Sequence, residues 1–224
     1  MEFRNEVKHY INMTDYFLVR NRLKHVADHD SFANHDGEYI IRSIYFDNYY
    51  DKALQEKLLG INNRSKFRIR LYNNDTNFIK LEKKTKVKNL TNKVSANITK
   101  DECQNIINGD WQFLIESEKP LFHELYAAMK NDILRPKTIV EYTREAYIYT
   151  PGNVRITFDK NLKTGIVSTD FLNADIPTIK AMDNNNIIME VKFDEFLPEI
   201  ITNLIQTNER RSSAICKYAL CRNF

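Results

Sequence analysis

The sequence predicts an α+β protein built on an antiparallel β-barrel tunnel of about eight strands, with flanking and C-terminal helices. Two observations carry this. Charge recurs at every second residue and is mostly positive, from Lys66 through Arg68 to Arg70 and again from Lys80 through Glu82 to Lys84. Side chains two apart on a strand share a face, so Phe67, Ile69 and Leu71 form an apolar face while the basic residues crowd the other. A solvated outer face would explain one such strand. The pattern recurs, however: Arg155, Thr157 and Asp159 share a face in RITFD, and Glu190 and Lys192 share one in IIMEVKFD, each opposite apolar neighbours. Charged faces on several apolar-backed strands are what a barrel with a polar lumen requires.

The elements follow in order. Phe3, Val7 and Ile11 predict a first strand over residues 2 to 11. A helix comes next, with Thr14 as its N-cap and Tyr16, Val19, Leu23 and Val26 on one helical face. EYIIRSIYFD, residues 38 to 47, predicts a second strand, and DKALQEKLLG a short helix ending at Gly60. KFRIRLYN and NFIKLEKKT, joined by the turn-rich NNDTN, read as a hairpin, and VKNLTNKVSANI adds a strand. Residues 99 to 108 and 119 to 131 read as helices, the first opened by a capping box of Thr99 and Glu102. PKTIVEYTREAYIYT and NVRITFDKN form a second hairpin around Pro151 and Gly152. IIMEVKFD is the last strand. One helix follows Pro198 with Ile200, Ile201, Leu204 and Ile205 inward, and another runs from Ser213 onward.

Composition bounds the function. The 224 residues, 42% hydrophobic, can bury a real core, and one domain over residues 1–224 is expected. A net charge of +3 does not by itself argue for a polyanion partner. That argument comes from where the charges lie. Cys103, Cys216 and Cys221 are an odd number with no CxxC pair, which fits reduced thiols in a cytoplasmic protein. MEFRNEVKHY lacks an apolar signal region, and no stretch reaches the ~18 apolar residues of a membrane span, so a soluble chain is expected.

Glycine-dependent phosphate loops are disfavoured: with five glycines there is no GxxxxGK[ST] and no GxGxxG, and GxSxG and HExxH are also missing. His9, His25, His29, His35 and His123 are scattered; His25 and His29 stand four apart on a predicted surface helix without an evident third zinc ligand. What remains is a lumen lined by Arg and Lys with a few carboxylates. Arg suits bidentate phosphate recognition and Lys suits point-charge neutralisation. Burying many like charges without an anion is prohibitive, so the lumen implies a polyvalent anionic ligand. Carboxylates beside phosphates imply Mg²⁺ or Mn²⁺, hard ions that share oxygen ligands with substrate phosphates.

The R-x-E-x-K of Arg4, Glu6 and Lys8, together with SIYFDN, FRIRLY, LEKKT, EYTREAY, VRITFD, MEVKF and the late CKYAL, resembles the VTC domain of polyphosphate polymerases, within the triphosphate tunnel metalloenzymes. The resemblance covers residues 3 to 221. It implies that Lys8, Arg68, Arg70, Lys84, Arg144, Arg155 and Lys217 contact phosphates and that Glu190 holds the metal. Lys93 matches a family lysine, Glu6 and Glu82 are second-carboxylate candidates, and Arg42 is a candidate for an additional tunnel base. In the superfamily's hydrolytic branch, which includes thiamine triphosphatases and class IV adenylate cyclases, the first strand carries E-x-E-x-K. Here Arg4 replaces the first Glu, which weakens a hydrolase reading. The SPX sensor domain and membrane helices of the family's eukaryotic members have no counterpart in these residues, so a membrane-protein partner stays unknown.

The resemblance implies an ATP-dependent polyphosphate polymerase that moves the ATP γ-phosphoryl group onto a growing polyphosphate chain. The rival readings are a metal-dependent triphosphatase or tripolyphosphatase and a non-catalytic polyphosphate- or nucleotide-binding module. Nucleic-acid binding is disfavoured, because the strand aromatics lie mainly opposite the basic face rather than interleaved with it for base stacking.

Overall fold

The structure, a computed structural model, describes residues 4–30, 33, 36–88, 90–207 and 212–223. His35 and the first residues of the predicted opening strand lie outside them. The elements are β1 (Asn5–Ile11), α1 (Met13–Leu23), β2 (Asp28–His29), β3 (Glu38–Asp47), α2 (Lys52–Leu58), β4 (Asn63–Tyr72), β5 (Ile79–Val87), β6 (Leu90–Ile98), α3 (Lys100–Asn108), α4 (Phe113–Glu116), α5 (Pro120–Asn131), β7 (Arg135–Tyr149), β8 (Val154–Thr164), β9 (Ile179–Lys180), β10 (Ile187–Phe193), α6 (Glu199–Ile205) and α7 (Lys217–Leu220). The α+β class and the antiparallel sheet stand as the sequence predicts. Eight strands form the main hydrogen-bonded path, and the two-residue β2 and β9 attach beside it.

The chain forms two compact units: Met1–Ile40, Tyr142–Leu162 and Met182–Ile215 in the first, Ile41–Glu141, Lys163–Ala181 and Cys216–Phe224 in the second. β3, β7 and β8 run through both. In the first unit the strand order is β1-β10-β8-β7, and in the second it is β7-β3-β4-β5-β6. Among the described strands, β1 pairs with β10 alone and β6 with β5 alone, so the path ends at these two.

Each unit buries the apolar face that strand alternation creates. In the first, Ile156 and Phe158 of β8, Met189 and Val191 of β10 and Ile11 of β1 join Tyr16, Val19 and Leu23 of α1 and Ile201 of α6. In the second, Phe67, Ile69 and Leu71 of β4 and Ile79 and Leu81 of β5 pack with Phe122, Leu125 and Met129 of α5 and with Cys103 and Ile106 of α3. With helices on one face, the charged residues are left to the other.

Several boundaries differ from the sequence expectation for local reasons. Asn12, not Thr14, caps α1: its side chain accepts from the Asp15 amide at 2.8 Å, and the Asp15 carboxylate accepts from the Asn12 amide at 3.3 Å. α1 ends at Leu23 and His29 belongs to β2, where its ring lies 4.5 Å from that of Tyr147. His25 and His29 therefore do not share a helix face. The last helix begins at Lys217 rather than Ser213, and Ile200 of α6 is exposed while Ile201 is buried. Gly152 turns β7 into β8 with φ of 73°, a value glycine adopts without strain. No helix among the described residues is long and apolar enough to cross a membrane.

Candidate functional site

The charged face of the second unit is set by an uninterrupted register. Arg70 lies opposite Ser43 and Lys80, Arg68 opposite Tyr45 and Glu82, and Lys66 opposite Lys84, which in turn faces Lys93. Because paired residues point the same way, these side chains form three rows on one face. Glu82 is the central carboxylate and is fully buried. Its Oε2 accepts from Arg68 Nε at 2.7 Å and from Arg68 Nη2 at 2.6 Å, and its Oε1 accepts from Lys93 at 3.0 Å. Burial pushes the Glu82 carboxyl up, but Arg68, Arg70 and Lys93 outweigh it and hold the group far below the usual carboxylate range.

β3 supplies the supports for two arginines. The Tyr45 hydroxyl accepts from Arg68 Nη1 at 2.9 Å, and Ser43 accepts from Arg70 Nε at 3.0 Å. Lys66 and Arg68 also stand over the Tyr45 ring at 5.5 and 5.7 Å. Burial would raise the Tyr45 phenol, yet Arg68, Lys66 and Arg70 bring it below its ordinary value; Tyr72 is lowered in the same way, chiefly by Arg70. Two phenols shifted against their own burial report a strongly positive local field. Lys217 opens α7, which is held to this face by its neighbours: Lys66 donates to the Cys216 sulfur at 3.3 Å, and Tyr218 stacks on Tyr45 with ring centres 5.1 Å apart.

Arg42 does not belong to that face. Its register partner is Leu71, one residue out of phase with Arg70, so it points to the apolar side. There its guanidinium is consumed by Glu141 at 2.7 Å and by the carbonyls of Asn173 and Ala174 at 2.6 and 2.9 Å. The expectation of an additional tunnel base at Arg42 is corrected to a buried structural ion pair.

In the first unit, Lys8, Glu190 and Thr157 form one row, and Glu6, Lys192 and Arg155 form the next. Lys8 bridges Glu6 at 2.8 Å and Glu190 at 3.3 Å, and Lys192 reaches Glu190 at 2.9 Å. Arg144 of β7 grips Asp159 in a bidentate pair at 2.6 and 2.8 Å through Nε and Nη2. Burial opposes its charge, but Asp159 more than compensates and keeps it protonated. A guanidinium fork held on that edge presents its opposite, Nη1-bearing edge away from Asp159. Arg155 is held through Nη2 by Asp30 and by the Tyr39 hydroxyl, the latter at 2.8 Å. Arg4 pairs with Asp194 at 2.8 Å.

The donor chemistry suits a hard divalent cation. Glu6 and Glu190 share the Lys8 ammonium, which puts two hard-oxygen donors around one positive charge, and Mg²⁺ or Mn²⁺ commonly uses one or two carboxylates plus substrate phosphates. No group of three His, Cys, Asp or Glu residues able to hold a metal ion occurs among the described residues.

The sequence reading placed Asp159 on the charged face but assigned no arginine-holding role to it or to Ser43, Tyr45, Asp30 and Tyr39. Alternation in SIYFD places Ser43 and Tyr45 on one face, and Asp159 follows Arg155 by four residues on the same face, so a signal existed for these three. Asp30 and Tyr39 reach Arg155 from parts of the chain more than a hundred residues away, for which no local pattern exists.

HpAC1 from Hippeastrum, described as an adenylyl cyclase candidate with a dominant triphosphatase activity, is similar over 99% of this chain and 95% of its own, with a TM-score of 0.56 at 14% identity. PH1012 from Pyrococcus horikoshii covers 97% of this chain and 98% of its own, with a TM-score of 0.48 at 12% identity. An adenylate cyclase candidate from Bacillus halodurans covers 86% of this chain and 82% of its own, with a TM-score of 0.47 at 12% identity. No curated protein matches by sequence. The first of these likenesses shows the shared fold, and the VTC domain model matches residues 3–223. The chain therefore belongs to the VTC domain family.

Proposed function

We propose that residues 1–224 form a single VTC-type domain acting as an ATP-dependent polyphosphate polymerase in the cytoplasm, with ATP and inorganic polyphosphate as its ligands. The observation that carries the phosphate reading is the charge balance around Glu82. Lys66, Arg68, Arg70, Lys80, Lys84 and Lys93 share its face in three adjacent register rows, six cations to one carboxylate. Unit charges on neighbouring strands about 5 Å apart repel by up to about 3 kcal/mol per pair at the effective dielectric of a protein site. A polyvalent anion relieves that repulsion, and a phosphate chain supplies a charge at each unit.

Arg68, Arg70, Lys84, Arg144, Arg155 and Lys217 serve as catalytic groups, and Lys8 and Lys93 as substrate-binding groups. The attacking terminal phosphate oxygen is already ionised at neutral pH, so no general base is required. The arginines, fixed by Glu82, Tyr45, Ser43 and Asp159, position the phosphates in line and offset the charge that spreads over the transferring group. Glu190, with Glu6, would hold Mg²⁺ or Mn²⁺, which supplies further neutralisation of phosphate charge.

Incubating the purified protein with ATP and Mn²⁺ or Mg²⁺ tests this directly. Long-chain polyphosphate appearing together with ADP is the expected result. Orthophosphate without polymer would instead establish the triphosphatase reading. Tripolyphosphate binding with no turnover under either metal would reduce the chain to a binding module.

A further inference from the structure

Two hydrogen-bond donors on β8 remain without partners among the described residues although both are buried: the Thr157 hydroxyl and the Arg155 Nε. Thr157 is 3% exposed. A buried polar group left unpaired costs about 1–3 kcal/mol, so two on one strand face call for an explanation. They stand at i and i+2, hence on the same side of the sheet and about 6–7 Å apart along the strand. Arg155 cannot swing to satisfy its Nε elsewhere, because its Nη2 is engaged by Asp30 and Tyr39.

We propose that Thr157 and the Arg155 Nε together form a two-donor subsite for one phosphate unit, with Thr157 as an additional substrate-binding residue. The proposal rests on the phosphate reading above. Nε is donor-only, which excludes a cationic or donor ligand and requires an acceptor. The guanidinium's own charge favours an anionic one: Asp30 occupies Nη2 and not Nε, Lys192 lies directly opposite Arg155 in the register, and Glu190, opposite Thr157, is paired with Lys8 and Lys192. Charge-assisted bonds from two fixed donors to adjacent phosphate oxygens satisfy both orphans at once. The hydroxyl adds what charge alone does not, a directional contact that distinguishes a tetrahedral oxyanion from a diffuse anion.

The test compares the wild type with Thr157→Val, which keeps the shape and removes the hydroxyl, and Thr157→Ser, which retains it. Calorimetric titration with tripolyphosphate and with inorganic phosphate, both without metal, is paired with melting of the ligand-free proteins. Thr157→Val should weaken tripolyphosphate binding about tenfold to a hundredfold, the loss of one hydrogen bond to a charged acceptor. Its ligand-free melting temperature should hold or rise, since an unpaired buried hydroxyl is removed. Thr157→Ser should bind within about threefold of the wild type, because the donor is kept. Unchanged tripolyphosphate binding by Thr157→Val, beside a wild type that binds, overturns the subsite alone. A fall in its ligand-free melting temperature also overturns it, since the hydroxyl would then be bonded within the fold. Should the wild type bind inorganic phosphate but not tripolyphosphate, and Thr157→Val lose that binding, the subsite stands and the polyphosphate reading fails. A wild type that binds neither anion overturns both.

Discussion

Glu82 shows how one buried carboxylate organises a cationic surface. Its charge is retained because Arg68, Arg70 and Lys93 outweigh desolvation. Removing it should leave those cations uncompensated and destabilise the fold by about 3 kcal/mol, so Glu82→Gln is expected to shift the urea midpoint downward at pH 7, with tripolyphosphate recovering part of the loss. The pH dependence has a defined sign. A carboxyl whose folded pKa is depressed contributes its full stabilisation above its unfolded pKa of about 4.3 and loses it as pH falls toward the lower folded value. Wild-type stability should therefore decline below about pH 4, and Glu82→Gln should flatten that part of the profile in urea titrations at stepped pH. Among the residues proposed to handle phosphate, the metal and anchoring roles should separate kinetically. Glu190→Gln should reduce turnover about a hundredfold while keeping or tightening tripolyphosphate affinity, because a negative charge is removed from the anion's surroundings. Arg70→Ala should lower kcat and affinity together, since its guanidinium is proposed to serve ground and transition states alike. Full metal-dependent turnover in Glu190→Gln would shift the metal assignment to Glu6 or Glu82.

At the scale of elements, strand register and helix caps do most of the positioning. β4, flanked by β3 and β5, presents Arg68 and Arg70 beside Tyr45, Ser43 and Glu82 without any loop contributing, which suits the phosphate-positioning role proposed for them. The outward face of the first unit is tied down by a second network: Glu145 accepts from the hydroxyls of Tyr16 at 2.5 Å and Tyr147 at 2.7 Å and from Arg20 Nε at 2.8 Å, docking α1 on β7. Burial and the Glu145 charge push both phenols well above their usual range, so they stay neutral donors. The entry of α1 is equally specific. Asn12→Ala should cost about 1 kcal/mol in urea unfolding through loss of the capping box, whereas Thr14→Ala, at an exposed first-turn position, should stay within about 0.5 kcal/mol. Equal costs at the two positions would contradict the cap assignment.

For the whole molecule, electrostatics links stability to ligand and salt. The net charge is only +3, yet basic side chains gather on one strand face of the second unit. Tripolyphosphate at millimolar concentration should raise the melting temperature by several degrees at low salt, because a ligand bound to the folded state alone stabilises by mass action. In about 1 M salt the Debye length falls to about 3 Å and the shift should shrink strongly. Thermal melts at two ionic strengths measure this, and an equal shift in both would point to binding without the cationic face.

Local sequence determined the face-alternating charge on β4, β5, β8 and β10, the apolar faces behind it, the hairpins and the family resemblance, because side-chain period and turn chemistry act over a few residues. The two-residue β2 and β9 and the one-turn α4 were not legible, since elements so short carry no period. Only the tertiary structure decided that Arg42 faces the apolar side, that Asp30 and Tyr39 hold Arg155, and that Thr157 stands unpaired beside its Nε. Alternation says which residues share a face of one strand; which residue lies opposite is settled by register and long-range packing, and a slip of one position reverses every assignment.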